Sequence, residues 1–397
     1  MTVGVRVDAG VVELAASVRA FVDEVAVPAE AEDPWTGHGI PDDLVLRLRA
    51  EARRRGLWAP TAPVGLGGLG LDHRSQSVVL EEAGRSLLGP TALNCAAPDE
   101  GNILLLDKVA TESQKERYLA PLVAGELRSA FAMTEPSPGA GADPDMLLTT
   151  AERRDGRWLV NGRKWFITGA SGAGFYITMA RTGDRATMFL VDADVPGVEV
   201  VRAIDTLDRG FAGGHCEMRF DGVEVGDEAV LGEVDEGFRY AQVRLGPARL
   251  THCMRWLGAA RRAHETAVAY AAGRPMFGST LGELGMAQQM IADNEIDIAA
   301  SRALIWQAAC ALDEELPARQ ETSVAKAFVA EAVYRVVDRS LQLCGGFGVS
   351  GDSPIQRIFK EMRPFRVYDG PTEVHRMAIA RRAVRRSTSG RLPGDRS

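Results

Sequence analysis

The residue in this 397-residue chain best placed by type and spacing to do chemistry is Asp369. It lies in the run Arg363-Pro-Phe-Arg-Val-Tyr-Asp369-Gly-Pro-Thr-Glu-Val-His375. It follows an apolar-aromatic pair, Val367-Tyr368, and leads through Gly370-Pro371 to Thr372 and a helix-like run from Glu373 to Val384. An acid on a tight turn just ahead of a helix has a held backbone and one apolar flank. Its carboxylate can be partly desolvated there, which suits a general base. The same residues also read as a plain turn, since Asp-Gly and Gly-Pro are strong turn dipeptides. Both readings stand at this point.

Other chemical constellations fail on spacing. The six histidines (His38, His73, His215, His252, His264, His375) show neither the His-x-x-x-His nor the carboxylate spacing of metal sites. No Gly-x-Ser-x-Gly elbow offers a serine nucleophile. Gly169-Ala-Ser-Gly-Ala-Gly174 is superficially like a dinucleotide loop. It opens no clear helix and has no acid on a second strand, so it carries no such assignment. The five cysteines are scattered without a Cys-x-x-Cys pair, which suits reduced thiols and argues against a disulfide framework or zinc site. Net charge is −8, so no basic face recommends a nucleic-acid partner. There is no basic start followed by an apolar block and no uninterrupted apolar run long enough for a bilayer. The expected compartment is the cytoplasm, with no membrane partner.

The elements that must position Asp369 follow from periodicity. From Val11 to about Leu122 the chain reads as helices, the first on Val11, Leu14, Ala15, Val18, Phe21, Val22 and Val25 and ended by Pro28. Pro41 with Asp42 and Asp43 opens a second helix, Ser75 to Ala83 is a third, and Thr111 with Gln114 makes a capping box. Gly65 to Leu71 is a glycine-rich surface or packing loop, with no Lys-Ser/Thr to make it a phosphate cradle. From about Ser129 the period becomes that of strands. Arg157–Thr168 predicts a hairpin around Asn161-Gly162, and further short strands make a compact barrel or sandwich. Helical spacing returns over Phe238–Ala271, Leu281–Leu312, Glu321–Leu343 and Thr372–Val384, enough for a four-helix bundle. The expected fold is α+β, mostly α. Its parts are an N-terminal helical domain (1–128), a central small β domain (129–236), a C-terminal bundle (237–385) and a flexible tail (386–397).

Four separated motifs, in order, carry a resemblance. Phe131-Ala-Met-Thr134-Glu135-Pro136 followed by Gly139-Ala-Gly-Ala-Asp143 resembles the flavin-binding signature of the acyl-CoA dehydrogenases. Lys164-Trp-Phe-Ile-Thr168 resembles that family's second flavin strand. Arg274-Pro-Met-Phe277-Gly278 and Gln342-Leu-Cys-Gly345-Gly346-Phe-Gly348 resemble its dinucleotide-contacting pieces. Asp369-Gly370 falls where the family carries Glu-Gly, with the acid as catalytic base. The resemblance covers about Val11 to Arg385 and implies FAD-dependent α,β-dehydrogenation of an acyl-CoA thioester. A base would take the α-proton and a flavin the hydride, since no side chain accepts hydride.

By that family pattern Thr134, Thr168 and the backbones of Phe131 and Met133 hold the isoalloxazine, with Phe166 as an apolar wall where Trp is common. Arg274 pairs with the pyrophosphate, as a guanidinium can do bidentately. Phe277, Gln342, Gly345, Gly346, Pro371 and Glu373 complete the cofactor contacts, and Arg249 and Gly370 face the substrate. The Gln342–Gly346 stretch reaches a neighbouring subunit's FAD, which implies a dimer or tetramer. Electrons would pass to an electron-transferring flavoprotein. Departures matter too. Asp for Glu at 369 shortens the base by on the order of 1.5 Å, and resembles a branch in which some members are associated with longer or 4-hydroxylated acyl-CoAs. Ala142 stands where a Ser often bonds CoA, which keeps open a carrier-protein-bound acyl substrate. Gly246 replaces a common Asp and Gly285 a common Gln. The residues also stay compatible with a flavin oxidase or monooxygenase on the same scaffold, and with a non-catalytic flavin-binding homologue.

Overall fold

The computed structural model describes residues 7–32 and 37–388. The first apolar stripe forms α1 (Ala9–Phe21), a single π turn, and α2 (Val27–Glu30). Helical structure therefore does not stop at Pro28. The wider π turn just before it accommodates a ring that an unbroken α-helix interior would reject. Next come α3 (Asp42–Arg54), with both acids in its first turn, and α4 (His73–Ala83), capped by the Asp72 side chain on the Ser75 N–H. Then follow α5 (Gly89–Ala92), α6 (Asp99–Val109), α7 (Glu112–Gln114) and α8 (Ala120–Ala124). The capping box expected at Thr111 and Gln114 is present at α7.

The strands are β1 (Ser129–Ala132), β2 (Thr150–Arg154), β3 (Arg157–Thr168), β4 (Phe175–Thr182), β5 (Arg185–Asp192), β6 (Val198–Ala203) and β7 (His215–Val225). They form one seven-stranded sheet in the order β1-β4-β2-β3-β7-β6, with β5 also paired to β4. The hairpin expected at Asn161-Gly162 is not there. β3 runs straight through that pair, and the turn lies at Asp155-Gly156, between β2 and β3, where both residues have positive φ. Gly162 answers a different need. A Cβ on it would lie 2.3 Å from Thr149 Oγ1, at an irregularity in the β3–β7 register. Sequence dipeptides name turns, but two such pairs so close along the chain cannot both turn one hairpin. Alternate residues of β4 serve two cores: Phe175, Ile177 and Met179 join Leu105, Leu106 and Leu119 on one face. Tyr176 and Ala180 join Trp158, Phe189 and Phe220 on the other.

The C-terminal helices are α9 (Gly237–Gly273), α10 (Gly285–Asp313), α11 (Arg319–Val349), α12 (Pro354–Met362) and α13 (Thr372–Thr388). A small hairpin, β8 (Pro275–Met276) and β9 (Ser279–Thr280), follows α9. Helix α11 is interrupted at Gly345, whose φ of 55° and ψ of −133° are not helical. Helix α12 is an addition to the expected elements. Its signal is Ser353-Pro354 followed by Ile355, Ile358 and Met362 at helical spacing. The four long helices expected are α9, α10, α11 and α13. Helix α13 continues to Thr388, and residues 389–397, most of the expected tail, lie outside those described.

The chain divides into two compact units. One holds Ala16–Leu71 and Ser86–Ala248, hence the sheet. The other holds the start of α1, Asp72–Arg85 and the chain from Arg249 onward. Helix α4 buries Val79, Leu80 and Ala83 and is tied to the C-terminal helices by ion pairs as well. The Asp313 carboxylate accepts the N–H groups of His73 and Arg74 at the positive end of α4, and Glu81 accepts from Arg261 and Arg302.

Candidate active site

Asp369 occupies the left-handed region (φ 54°) and Gly370 follows at φ 91°. Asp tolerates that conformation better than most residues, and strain of this kind concentrates at functional turns. The turn is clamped through its backbone. Arg249 Nε on α9 donates to the Asp369 carbonyl at 2.8 Å, and His375 Nε2 on α13 lies 3.2 Å from the same oxygen. Gly370 is needed here as well as permitted, because a Cβ on it would lie 2.9 Å from His375 Nε2.

The Asp369 side chain is 19% exposed, and its Oδ2 lies 3.3 Å from His252 Nε2. His252 packs on the Tyr368 ring at 4.9 Å, and Trp256 Nε1 donates to the Tyr368 hydroxyl at 2.5 Å. Lys326 donates to the Phe365 carbonyl at 2.6 Å and lies over the Phe365 ring. The carboxylate thus sits among cations and aromatic rings. Burial, then Arg249 and Lys326, push His375 down to about 4. Burial brings Lys326 down to about 8 against the pull of Cys253 and Asp369, with Arg249 adding to the fall. Burial also lowers Arg249, and Asp369 offsets part of that. His252 is a neighbour that sequence reasoning missed, because metal spacing alone does not mark it. The available signal was that His252 is three residues from Arg249, so one face of α9 carries both.

In the other unit, the end of β1 and the end of β3 lie together. Phe131 is in β1, and the chain leaves the strand through Met133 and Thr134, all partly buried. Trp165 N–H donates to the Thr134 carbonyl at 2.8 Å, and Lys164 Nζ donates to the Met133 carbonyl at 3.1 Å. Lys164 is fully buried and also binds Glu135 Oε1 at 2.9 Å. Glu135 accepts in addition from the N–H groups of Leu148, Thr149 and Ala140. Burial alone would raise this carboxyl, but Lys164 and those donors hold it below its ordinary range, while burial brings Lys164 down to about 8. With its oxygens so occupied, Glu135 is a brace for the Thr134 loop and not a base.

Phe166 is in the left-handed region (φ 54°), is 48% exposed and stacks on Trp165. Trp165 Nε1 is buried with no protein partner among the described residues. Thr168 Oγ1 lies 2.9 Å from His215 Nδ1 on β7, whose Nε2 is 3.1 Å from Asp208 Oδ2. An exposed aromatic face, an orphaned donor and a threonine hydroxyl oxygen near the end of β3 fit a planar heteroaromatic group that carries both hydrogen-bond acceptors and donors.

Of the remaining sequence-derived residues, Arg274, Phe277, Gln342, Gly345 and Gly346 lie at or just beyond the C-terminal ends of α9 and α11. Arg274 is exposed and precedes the β8–β9 hairpin, whose tip is Phe277-Gly278, both at positive φ. Phe277 is 91% exposed. Gln342, Gly345 and Gly346 are open at the interruption of α11, and Phe347 there stacks on Tyr270 of α9. Pro371 and Glu373 flank Thr372, the first residue of α13, whose hydroxyl donates to Glu331 of α11. Among the described residues no cluster of His, Cys, Asp and Glu could hold a metal, and no helix is long and apolar enough to cross a membrane.

Helices, a central sheet, then long helices follow one another in the order of three domains of a known family of oxidoreductases. Models of the acyl-CoA dehydrogenase N-terminal, middle and C-terminal domains match residues 11–126, 130–223 and 235–384. The chain belongs to the acyl-CoA dehydrogenase family. It is 38% identical over 386 residues to a probable acyl-CoA dehydrogenase FadE2 of Mycobacterium tuberculosis, covering 93% of this chain and 94% of that one. It is 35% identical to acyl-CoA dehydrogenase family member 11 of Gallus gallus, over 93% of this chain but only 50% of that protein. A solved putative acyl-CoA dehydrogenase from Mycobacterium abscessus superposes with a TM-score of 0.89 at 35% identity, covering 96% of this chain and all of that one.

Proposed function

We propose that this enzyme removes the α-proton of an acyl-CoA thioester with the Asp369 carboxylate and uses FAD as its redox cofactor. The observation that carries the proposal is the clamp on Asp369. Its backbone is fixed by Arg249 and His375 while its carboxylate stays partly open beside an aromatic wall. Family membership supports an acyl-CoA substrate class, and the polar groups of Thr134 and Thr168 together with the half-exposed Phe166 ring support a flavin ring. Arg274, Phe277, Gln342, Gly345 and Gly346 would hold the dinucleotide half, and Pro371 and Glu373 are further cofactor contacts by the family pattern. FAD, when bound, supplies the hydride acceptor that no side chain provides.

The protein's own work is to hold and desolvate. An α-proton beside a thioester is weakly acidic, so a base must be aimed at it and shielded from water. Arg249 and His375 aim the turn that bears Asp369. The Tyr368 and Phe365 rings exclude water on one side, and His252 limits the carboxylate's rotation. The proton would then rest on an Asp369 oxygen.

The test is an anaerobic titration of the yellow protein with a panel of acyl-CoAs and acyl-carrier thioesters, following flavin absorbance. At least one thioester should bleach the wild type. Asp369→Asn should remain yellow and bind ligand while bleaching about 10²–10⁴-fold more slowly, the usual contribution of a general base. Bleaching of Asp369→Asn at the wild-type rate would return Asp369 to a turn residue.

A further inference from the structure

Thr168, His215 and Asp208 form a hydrogen-bonded chain. Thr168 and His215 face each other as a register pair on β3 and β7. The chain is Thr168 Oγ1 to His215 Nδ1 at 2.9 Å and His215 Nε2 to Asp208 Oδ2 at 3.1 Å. The Asp208 side chain is 3% exposed and the His215 side chain 11%, and Phe211 covers the imidazole ring at 5.2 Å. A carboxylate only accepts, so it places a hydrogen on Nε2. In the neutral ring Nδ1 is then an acceptor and takes the Thr168 hydroxyl hydrogen. Thr168 is left with lone pairs, and no hydrogen, to offer to anything on its other side.

We propose that Asp208 and His215 are positioning residues that fix Thr168 as a hydrogen-bond acceptor toward the flavin N5 position, and so favour reduced FAD. The inference rests on the reading that Thr168 faces the flavin. Reduced flavin carries a hydrogen on N5 and needs an acceptor there. Oxidised flavin presents a lone pair and needs a donor. The tautomer of one histidine on a neighbouring strand therefore biases the redox equilibrium without touching the cofactor.

Asp208→Asn tests this with almost no change of shape. Its amide should donate to Nε2, move the ring hydrogen to Nδ1 and turn Thr168 into a donor, as a carboxylate-to-amide change behind an imidazole does elsewhere. Two readouts apply. Nitrogen NMR of labelled histidine, on protein stripped of FAD, should show the His215 hydrogen on Nε2 in the wild type and on Nδ1 in Asp208→Asn. Dye equilibration of the FAD-loaded protein should show the reduced-to-oxidised ratio falling about tenfold in the variant, about 30 mV for a two-electron couple. The sign is diagnostic, because simply removing a negative charge near the flavin would move the ratio toward reduced. In a Thr168→Val background Asp208→Asn should have no further effect.

A hydrogen already on Nδ1 in the wild type would overturn the proposal. So would an unmoved hydrogen in Asp208→Asn, an unchanged or raised ratio, or a shift that persists without Thr168. If the NMR result holds but the protein takes up no FAD, the flavin reading fails, and the failure is not in the chain.

Discussion

At the scale of single residues, the turn at Asp369-Gly370 combines two left-handed conformations with a close approach to His375. Gly370→Ala should therefore cost about 1–3 kcal/mol through strain at positive φ and lower substrate-dependent bleaching at least tenfold by displacing Asp369, the proposed base. Urea unfolding and stopped-flow absorbance measure the two effects. His375 gives a pH signature. Unfolded, its imidazole takes a proton near pH 6.5. Folded, burial with Arg249 and Lys326 delays that to about 4. Between those values the unfolded chain holds more protons, so stability falls as pH drops from about 6.5 to 4. In His375→Gln this part of the stability-against-pH curve should be flatter. A curve that falls just as steeply would assign the acid lability to other groups.

At the scale of elements, the loop after β1 and the strand β3 are joined by one buried ion pair, Glu135 with Lys164, and by the backbone groups each satisfies. Removing one partner leaves a buried charge and several unpaired groups. Lys164→Met or Glu135→Leu alone should cost about 3–5 kcal/mol, and should loosen Thr134 and Thr168 enough to weaken FAD retention. The double variant removes both charges and should recover part of the ion-pair cost, though not the backbone bonds that Glu135 accepts. Guanidinium unfolding of all three, with flavin content measured after gel filtration, tests this. Two single variants as stable as the wild type would show that the pair does not brace the loop.

At the scale of the whole molecule, the residues that resemblance assigns to the dinucleotide are mostly exposed within one chain. Arg274, Gln342, Gly345 and Gly346 are open, and Phe277 presents nearly its whole ring on a hairpin tip. A large apolar side chain held out in this way is explained when something covers it, and a second copy with its FAD would do so. We expect a flavin-loaded dimer or tetramer in which dilution to monomer and loss of FAD go together, since a ligand that binds the assembled form stabilises it. Sedimentation velocity at flavin and protein wavelengths across a dilution series checks this. A yellow monomer would argue against a shared site. Electron-transferring flavoprotein is the expected acceptor, and slow turnover with oxygen beside fast turnover with that partner would separate a dehydrogenase from a flavin oxidase.

By itself the sequence determined the order of the parts, because a change of period from helical to alternating and back is a local property of the chain. It also determined the family, through four motifs in order, and singled out Asp369 by its place between Tyr368 and Gly-Pro. It pointed to Asn161-Gly162 as the hairpin turn, where the structure turns at Asp155-Gly156. That choice depends on register with β2 and on the approach of Thr149, neither of which lies in the dipeptide. Nor could it find His252 beside Asp369 or the chain from Thr168 to Asp208. Those contacts join residues 117, 47 and 7 positions apart, brought together only when helices and strands pack. Chemistry that depends on one atom facing another is decided by tertiary structure, since spacing along the chain constrains partners only within a helix face or a hairpin.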